Sequence, residues 1–228
     1  MTLPSLRIPA ALLTLGVSSF LVTAPAARAE DPPRVRNVHL GAGNPRTAKE
    51  QALERLTAAR DAIDDGVDGV GDEATALHEL DDAIEELEES LDPEFWLRDG
   101  EGNIDGDRLD PDRGAHAFHE ERESAQEIFD AIDEGEIDDT DLRDELLSIV
   151  DLLVSADRSL AQIAIDDALA AGGDDDEIDE AQAQLLRGDD LVAKAAGQED
   201  LDRRAARLYE AMDNAYRHAW SEAIDSLE

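Results

Sequence analysis

The sequence predicts an all-α protein, an antiparallel bundle of five or six helices arranged as helical hairpins. Two observations predict this class. Apolar residues recur at alternating steps of three and four with charged residues between them, as in Leu77, Leu80, Ile84, Leu87 and Leu91. This is the spacing of one helix face. The chain also has only a few aromatic residues (4%), so its core must consist mainly of Leu, Ile, Val and Ala, which suits closely packed helices.

Residues 1–29 have the pattern of a secretory signal peptide. Arg7 precedes an apolar run over 10–24, which ends at the small-x-small site Ala27-Arg28-Ala29, the kind of site that signal peptidase cleaves. The run is short for a permanent membrane span, and a retained anchor is the alternative interpretation. No second apolar stretch follows, so we expect no stable membrane span after signal removal and a secreted or extracytoplasmic protein.

The charge of the chain indicates its solvent. The formal net charge is −38, and removal of residues 1–29 takes away two arginines and no acid, which leaves −40. At molar salt the Debye length is about 3 Å, so such a surface no longer repels itself strongly. We therefore interpret the acidity as adaptation to high salt, with solvent cations as its counterions. It argues against nucleic-acid binding, and the absence of cysteine excludes disulfides and thiol chemistry.

The mature chain divides into a flexible leader at 30–46 and a helical bundle domain at 47–228. The first predicted hairpin is 47–91. Its first helix begins at a capping box, in which Thr47 and Glu50 satisfy each other's free backbone donors. Gly66, Gly69 and Gly71 end that helix, and the Leu77–Leu91 stripe forms its partner.

The loop 92–111 separates this hairpin from two others, 112–171 and 175–228. Asp92-Pro93 and Asp110-Pro111 each resemble an N-cap followed by proline at the first helical position. Phe95 and Trp96 are predicted to tuck a short turn onto the bundle. The segments Asp61–Gly66 and Asp130–Gly135 are similar at an offset of 69, which indicates two hairpins on one plan or two amphipathic hairpins that align by coincidence.

Two groups of residues could hold a metal ion. Asp99, Glu101, Asn103, Asp105 and Asp107 alternate along the loop Asp99–Asp112. An EF-hand requires glycine sixth and a bidentate acid twelfth, but the register from Asp99 places Ile104 sixth, and the register from Glu101 loses the first aspartate. Whether this loop binds calcium stays open. A second group shares one helix face: His116, His119, Glu120 and Glu123. The order of a metalloprotease helix is absent, so two surface histidines are the favoured interpretation.

Two further motifs favour ordinary structural roles. Gly41-Ala42-Gly43 lacks the third glycine and the lysine of phosphate-binding turns, and is interpreted as a linker. The aromatic residues of the last helix could form a partner surface, but their spacing favours packing against the neighbouring hairpin. They are Tyr209, Tyr216 and Trp220, beside Arg217 and His218.

Four segments resemble a group of exported helical domains found in surface proteins of salt-loving archaea. They are Leu91–Trp96, Leu109–Gly114, Ala156–Ala161 and Tyr216–Trp220. The resemblance covers about two thirds of the mature chain, with the loop 98–108 as an insertion. It implies an extracytoplasmic location and an all-α fold, and it supplies no activity and no catalytic residues.

The sequence alone therefore predicts a non-enzymatic exported protein that binds or scaffolds a protein or envelope partner at or near the cell envelope. No catalytic, cofactor-binding or metal residue is assigned. Two alternatives remain: a calcium- or cation-dependent module that uses the acidic loop 99–112, and a hydrolase whose carboxylate pair is hidden among the 58 acids. The hydrolase would need a partly apolar pocket that holds two acids.

Overall fold

A computed structural model describes residues 44–228 of the chain. The predicted signal peptide, the linker Gly41–Gly43 and most of the predicted leader lie outside the described residues. Within them, none of the helices is both long enough and apolar enough to cross a membrane.

The predicted all-α bundle is confirmed, with one small hairpin added. The elements are α1 (Pro45–Asp64), α2 (Glu73–Ser90), β1 (Trp96–Arg98), β2 (Ile104–Leu109), α3 (Ala115–Glu134), α4 (Thr140–Ala171), α5 (Asp175–Ala195), α6 (Leu201–Ala211), a π-helical turn (Met212–Tyr216) and α7 (Arg217–Asp225). Because α6, the π-helical turn and α7 follow one another without a break, they form a single rod.

Helix α1 begins earlier than the capping box predicts. Its first residue is Pro45, and the side chain of Asn44 accepts a hydrogen bond from the Thr47 amide at 2.8 Å. Asparagine as N-cap followed by proline at the first position satisfies the helix start better than Thr47 would. The helix start predicted at Thr47 was therefore wrong by three residues, and Pro45, Arg46 and Thr47 belong to α1.

The start predicted at Asp110-Pro111 is also wrong, because α3 begins at Ala115. The Asp110 amide donates to the Phe95 carbonyl at 2.9 Å, and the Asp110 carbonyl accepts from Gly114 at 2.7 Å. Asp110 is thus held in a turn between the hairpin and α3. Its side chain accepts a hydrogen bond from the Asp112 amide at 3.0 Å, so Asp110 caps this short turn and not α3.

The loop 92–111 contains a β-hairpin that the sequence did not reveal. Trp96 pairs with Leu109 and Arg98 with Ile104, with an irregularity between the two pairs. As predicted, Trp96 tucks onto the bundle: its side chain is 1% exposed, and its indole nitrogen donates to the Ser90 carbonyl at 3.1 Å. Strand β2 alternates neither hydrophobicity nor burial, which is why a strand pattern was not recognisable.

The connections α1–α2 and α3–α4 lie side by side. Val70 and Ile137 form an isolated antiparallel bridge, and the Asp138 amide donates to the Gly69 carbonyl at 2.7 Å. Gly69 has φ +91°, and a Cβ there would lie 3.0 Å from the Asp139 amide nitrogen. Glycine is therefore required at this crossing. Around these connections α2 packs on α3 and α1 packs on α4.

The π-helical turn faces the interior. Met212, Ala215 and Tyr216 are buried there, against α4 and α5. The Tyr216 ring lies directly on Gly188 of α5, where any Cβ would collide with it. Single π turns within α-helices are frequent at functional sites, so the groups beside this one are a natural place to look for chemistry.

Candidate functional site

Three charged side chains meet in the middle of the bundle, and we call them the buried charge centre. Lys49 of α1, Glu121 of α3 and Asp157 of α4 are each 0% exposed. Charged residues are almost never fully buried unless they are paired. The centre is therefore the most unusual arrangement of polar groups among the described residues.

The amphipathic pattern of each helix brings its charged residue inward. Lys49 follows Pro45 by four residues and precedes Leu56 by seven, so it lies on the buried face of α1. Glu121 and Asp157 likewise stand within the buried faces of α3 and α4. Residues spaced by three, four and seven share a helix face, so these positions must be buried once the neighbouring apolar residues are.

Lys49 has two partners. Its ammonium forms an ion pair with the Glu121 carboxylate and lies 5.0 Å from the centroid of the Trp96 ring. The Arg46 guanidinium lies 5.0 Å from the same ring, and its Nη2 donates to the Leu91 carbonyl at 3.0 Å. Trp96 thus covers the centre on one side and lies against both Arg46 and Lys49, whose charges are attracted to the face of its ring.

Asp157 is different, because neither of its carboxylate oxygens has a hydrogen-bond partner among the described residues. Burial raises the pKa of Asp157 well above its usual value, opposed by the charge of Lys49 and assisted by that of Asp213. Burial also lowers the pKa of Lys49 to about 8, with Asp157 opposing the shift and Arg46 adding to it. Both directions follow from the cost of an ion in a low-dielectric interior.

A second polar network adjoins the centre through the next residue of α4. Arg158 donates to both carboxylate oxygens of Asp189 on α5, at 2.7 and 2.9 Å. The Tyr216 hydroxyl donates to the same carboxylate at 3.1 Å. Burial raises the pKa of Tyr216, and the negative charge of Asp189 raises it further. This network joins α4, α5 and the π-helical turn and leaves Asp189 fully occupied.

Three carboxylates converge on the surface between α2 and α3. One oxygen each of Glu86, Glu120 and Glu123 lies within 4.8 Å of the others, the only such group of three or more possible ligands among residues 44–228. The pKa of Glu86 is raised to about 7. Burial is the largest cause, and the hydrogen bond to Glu120 and the charges of Glu120 and Glu123 raise it further. The cluster can therefore share a proton near neutral pH.

The four residues predicted to share one face of α3 do not converge on one point. Glu120 and Glu123 turn toward Glu86, whereas the His116 ring stacks on Phe95 with ring centroids 5.8 Å apart. The His119 Nε2 lies 3.4 Å from Glu123, but that carboxylate already accepts a hydrogen bond from Arg122 at 2.8 Å. The face is a set of surface pairs, which agrees with the favoured interpretation.

Two of the acids in the loop 99–112, Asp99 and Asp105, are engaged within the protein. The Asp99 carboxylate accepts from the amides of Glu101 and Asn103, each at 2.9 Å. These bonds, led by those from Asn103, lower the pKa of Asp99. Asp105 binds Arg108 at 3.0 Å, and Arg108 also binds Asp167 of α4 at 2.6 Å. The loop thus forms the turn and the anchor of the hairpin.

An apolar groove runs between the hairpin, α4 and α7, with a volume of about 160 Å³. Roughly this volume takes up one benzene-sized group. The Arg108–Asp167 ion pair lies at the groove, and Leu227 is exposed beside it (47%). The apolar lining comes from both sides of the groove: Leu97, Leu109, Pro111, Leu160, Ile163, Ala164, Trp220, Ile224 and Leu227.

The aromatic residues of the last rod pack inward, as their spacing predicts. Trp220 lies 6.0 Å from Phe118 of α3, and Tyr209 meets the edge of Phe129 at 5.8 Å, both between ring centroids. Trp220 is the one that also reaches the groove wall.

Sequence reasoning missed the buried charge centre. The sequence signal for this centre is a charged residue at a core position in each of three helical stripes. One of these residues, Lys49, is one of only two lysines in the chain. In a chain this acidic, Glu121 and Asp157 are indistinguishable from surface acids until the helices are packed.

Comparison with known proteins does not indicate a family for this chain. No family model, no curated protein and no solved structure matches the chain.

Proposed function

We propose that this protein is a non-enzymatic, exported binding or scaffolding module that acts at or near the cell envelope. The observation that carries the proposal is the apolar groove between the hairpin, α4 and α7. The groove is concave and mainly apolar, with one charged pair at its edge, which is the arrangement by which proteins capture a single apolar group and orient it. Export is inferred from the signal-peptide pattern of residues 1–29.

The groove favours one kind of partner. Its floor suits a single large aliphatic or aromatic side chain, and acidic groups surround it, including Asp107 and Asp167. The whole chain carries −38, so a partner segment with lysine or arginine beside its apolar anchor is complementary in charge. We therefore propose a segment of an envelope protein with this composition, bound while solvent cations neutralise the remaining surface.

The absence of cysteine allows a clean cross-linking test. The variant Leu227→Cys carries a single thiol at the groove, and Leu186→Cys carries one on α5, where the leucine is 67% exposed. Each variant is coupled to a photo-cross-linker and incubated with the envelope fraction in molar KCl. We expect one discrete adduct from position 227, in which mass spectrometry finds the linker beside a basic residue, and no such adduct from position 186.

Equal labelling from both positions, or labelling from neither, would show that the groove is not the binding surface. A short synthetic peptide made from the cross-linked segment should then compete for the adduct. Export is tested separately by N-terminal sequencing of protein recovered outside the cytoplasm. The expected first residue is Glu30, whereas an intact Met1 would favour a retained anchor.

The two alternative functions have less support. A calcium module at 99–112 would have to release Asp99 and Asp105 from the bonds that shape the hairpin. The hydrolase needs two free acids in an apolar pocket. The groove does contain Asp107 and Asp167, but Asp167 accepts two hydrogen bonds from Arg108, at 2.6 and 3.1 Å, and a base or nucleophile there would have to break this pair.

A further inference from the structure

The buried charge centre contains unequal numbers of opposite charges. Lys49 supplies one ammonium, whereas Glu121 and Asp157 supply two carboxyl groups, and all three side chains are fully buried. Lys49 is in contact with Glu121, and both oxygens of Asp157 lack a hydrogen-bond donor among the described residues. If every group were ionised, one uncompensated negative charge would remain in the core, at a cost of several kcal/mol.

The groups that face the centre from neighbouring helices do not supply the missing positive charge. Arg46 of α1 is held by the Leu91 carbonyl and by Glu50, at 3.0 and 3.1 Å. Its buried Nη1 has no hydrogen-bond partner among the described residues, but its charge acts on Lys49 and not on Asp157. On the π-helical turn, Asp213 adds a negative charge and binds Arg217 at 2.8 Å.

The remaining neighbours are occupied as well. The Tyr216 hydroxyl of the same turn donates to Asp189. Arg158, next to Asp157 on α4, points to α5, where it binds the same Asp189. No second cation therefore reaches Asp157 within residues 44–228.

We propose that the buried charge centre is a proton-operated lock. Asp157 carries a proton while α1, α3, α4 and the π-helical turn are closely packed, and Lys49 and Glu121 balance each other. Loss of that proton places a second negative charge in the core and weakens the packing of α1 and the π-helical turn on α4. The bundle then becomes less stable as the external pH rises.

The direction of the effect follows from proton linkage. Burial raises the pKa of Asp157 above the usual 3.8, so between that value and the raised one the folded protein holds a proton that the unfolded chain has lost. Stability contributed by this group is therefore lost as the pH rises. Lys49 has the opposite tendency, since its pKa is lowered to about 8, but its contribution begins only above that pH.

The test compares Asp157→Asn with the wild-type full-length protein. The amide has the shape of the protonated carboxyl and cannot ionise. The melting temperature of each is measured from pH 5 to 8 in molar KCl, so that titration elsewhere cancels in the difference. We expect the melting temperature of the variant minus that of the wild type to rise with pH. The rise should be about 3 °C or more per pH unit over the range in which folded Asp157 keeps its proton.

Asp144→Asn, an exposed position of the same helix, is the matched control and should show no such trend. A difference between the two proteins that stays constant from pH 5 to 8 would overturn the proposal, because it would mean that Asp157 is already ionised in the folded protein. Hydrogen exchange of the α1 amides gives a second readout, with faster exchange in the wild type than in the variant at pH 8.

A bound metal cation could supply the missing charge instead of a proton. The same melting series in NaCl and in tetramethylammonium chloride at equal concentration separates the two. If the wild type melts at a higher temperature than Asp157→Asn only in KCl or NaCl, a bound cation supplies the charge and the proton lock is overturned. Equal melting curves in all three salts support the proton lock. If Asp157→Asn does not fold, infrared spectra of protein that keeps Asp157 decide the matter. In a Glu86→Gln, Glu127→Gln background, which removes the two other carboxyls whose pKa is raised to about 7, a protonated carboxyl band at pH 6 supports the proposal, and its absence overturns it.

Discussion

Replacement of Lys49 by methionine is expected to destabilise the bundle strongly, although the two side chains fill similar space. Methionine keeps the apolar stem beneath Trp96 but removes the ammonium that pairs with Glu121. Both Glu121 oxygens are buried and have no other partner among the described residues. Removal of one member of a buried ion pair typically costs about 3–5 kcal/mol, because the other charge is left uncompensated.

This cost predicts a clear thermal signature. For a domain of this size, about 1 kcal/mol lowers the melting temperature by roughly 2–4 °C, so Lys49→Met should melt roughly 6–20 °C below the wild type. The attraction between the ammonium and the Trp96 ring is worth about 0.5–2 kcal/mol. The loss of this attraction is already included in the cost of about 3–5 kcal/mol for removing the ammonium, so it is not added to that cost.

A double-mutant cycle isolates the pair. Lys49→Met combined with Glu121→Gln removes both charges, and a core without ions is often as stable as one with a buried pair. The double variant should therefore recover most of the stability, with a coupling energy of roughly 2–4 kcal/mol by urea unfolding in molar KCl. If the two single losses simply add, the side chains are not an energetic pair and the reasoning about the centre is refuted.

Three further predictions concern other parts of the bundle. Gly188→Ala should destabilise it by about 1–3 kcal/mol in urea unfolding, because the added methyl collides with the Tyr216 ring. Glu86→Gln should raise the melting temperature relative to the wild type increasingly as the pH rises from about 5 to 7. The pKa of Glu86 is raised to about 7, so the folded wild type loses stability across that window. Asp99→Ala should speed hydrogen exchange at the Asn103 amide, which donates to Asp99 at 2.9 Å.

The first two of these have a matched control variant in the same chain. Gly100→Ala introduces a methyl with nothing within 4 Å and should leave stability nearly unchanged; a loss equal to that of Gly188→Ala would contradict the steric argument. Glu89→Gln, exposed on the same helix as Glu86, should show no pH-dependent gain. For the hairpin, calcium that slowed exchange at Asn103 in the wild type and not in Asp99→Ala would revive the calcium hypothesis, whereas equal exchange with calcium and magnesium is expected.

The sequence by itself determined the helical architecture of this protein. Apolar spacing and helix-ending residues act over a few positions, so the stripe Leu77–Leu91 and the end of the first helix before Gly66 could be located before any packing was known. The inward packing of Trp220 followed from the same local spacing. Errors occurred where two local signals competed, as at Asn44 and Thr47.

Only the tertiary structure decided which charged side chains are buried and which groups they contact. Lys49, Glu121 and Asp157 come from three helices far apart in sequence, and Glu86 meets Glu120 across another helix pair. A pattern of apolar and polar residues assigns every charge to the surface, because the cost of burying one depends on partners that the pattern does not contain. The acidic helical bundle was therefore predictable from the chain, whereas its charged interior and its apolar groove were not.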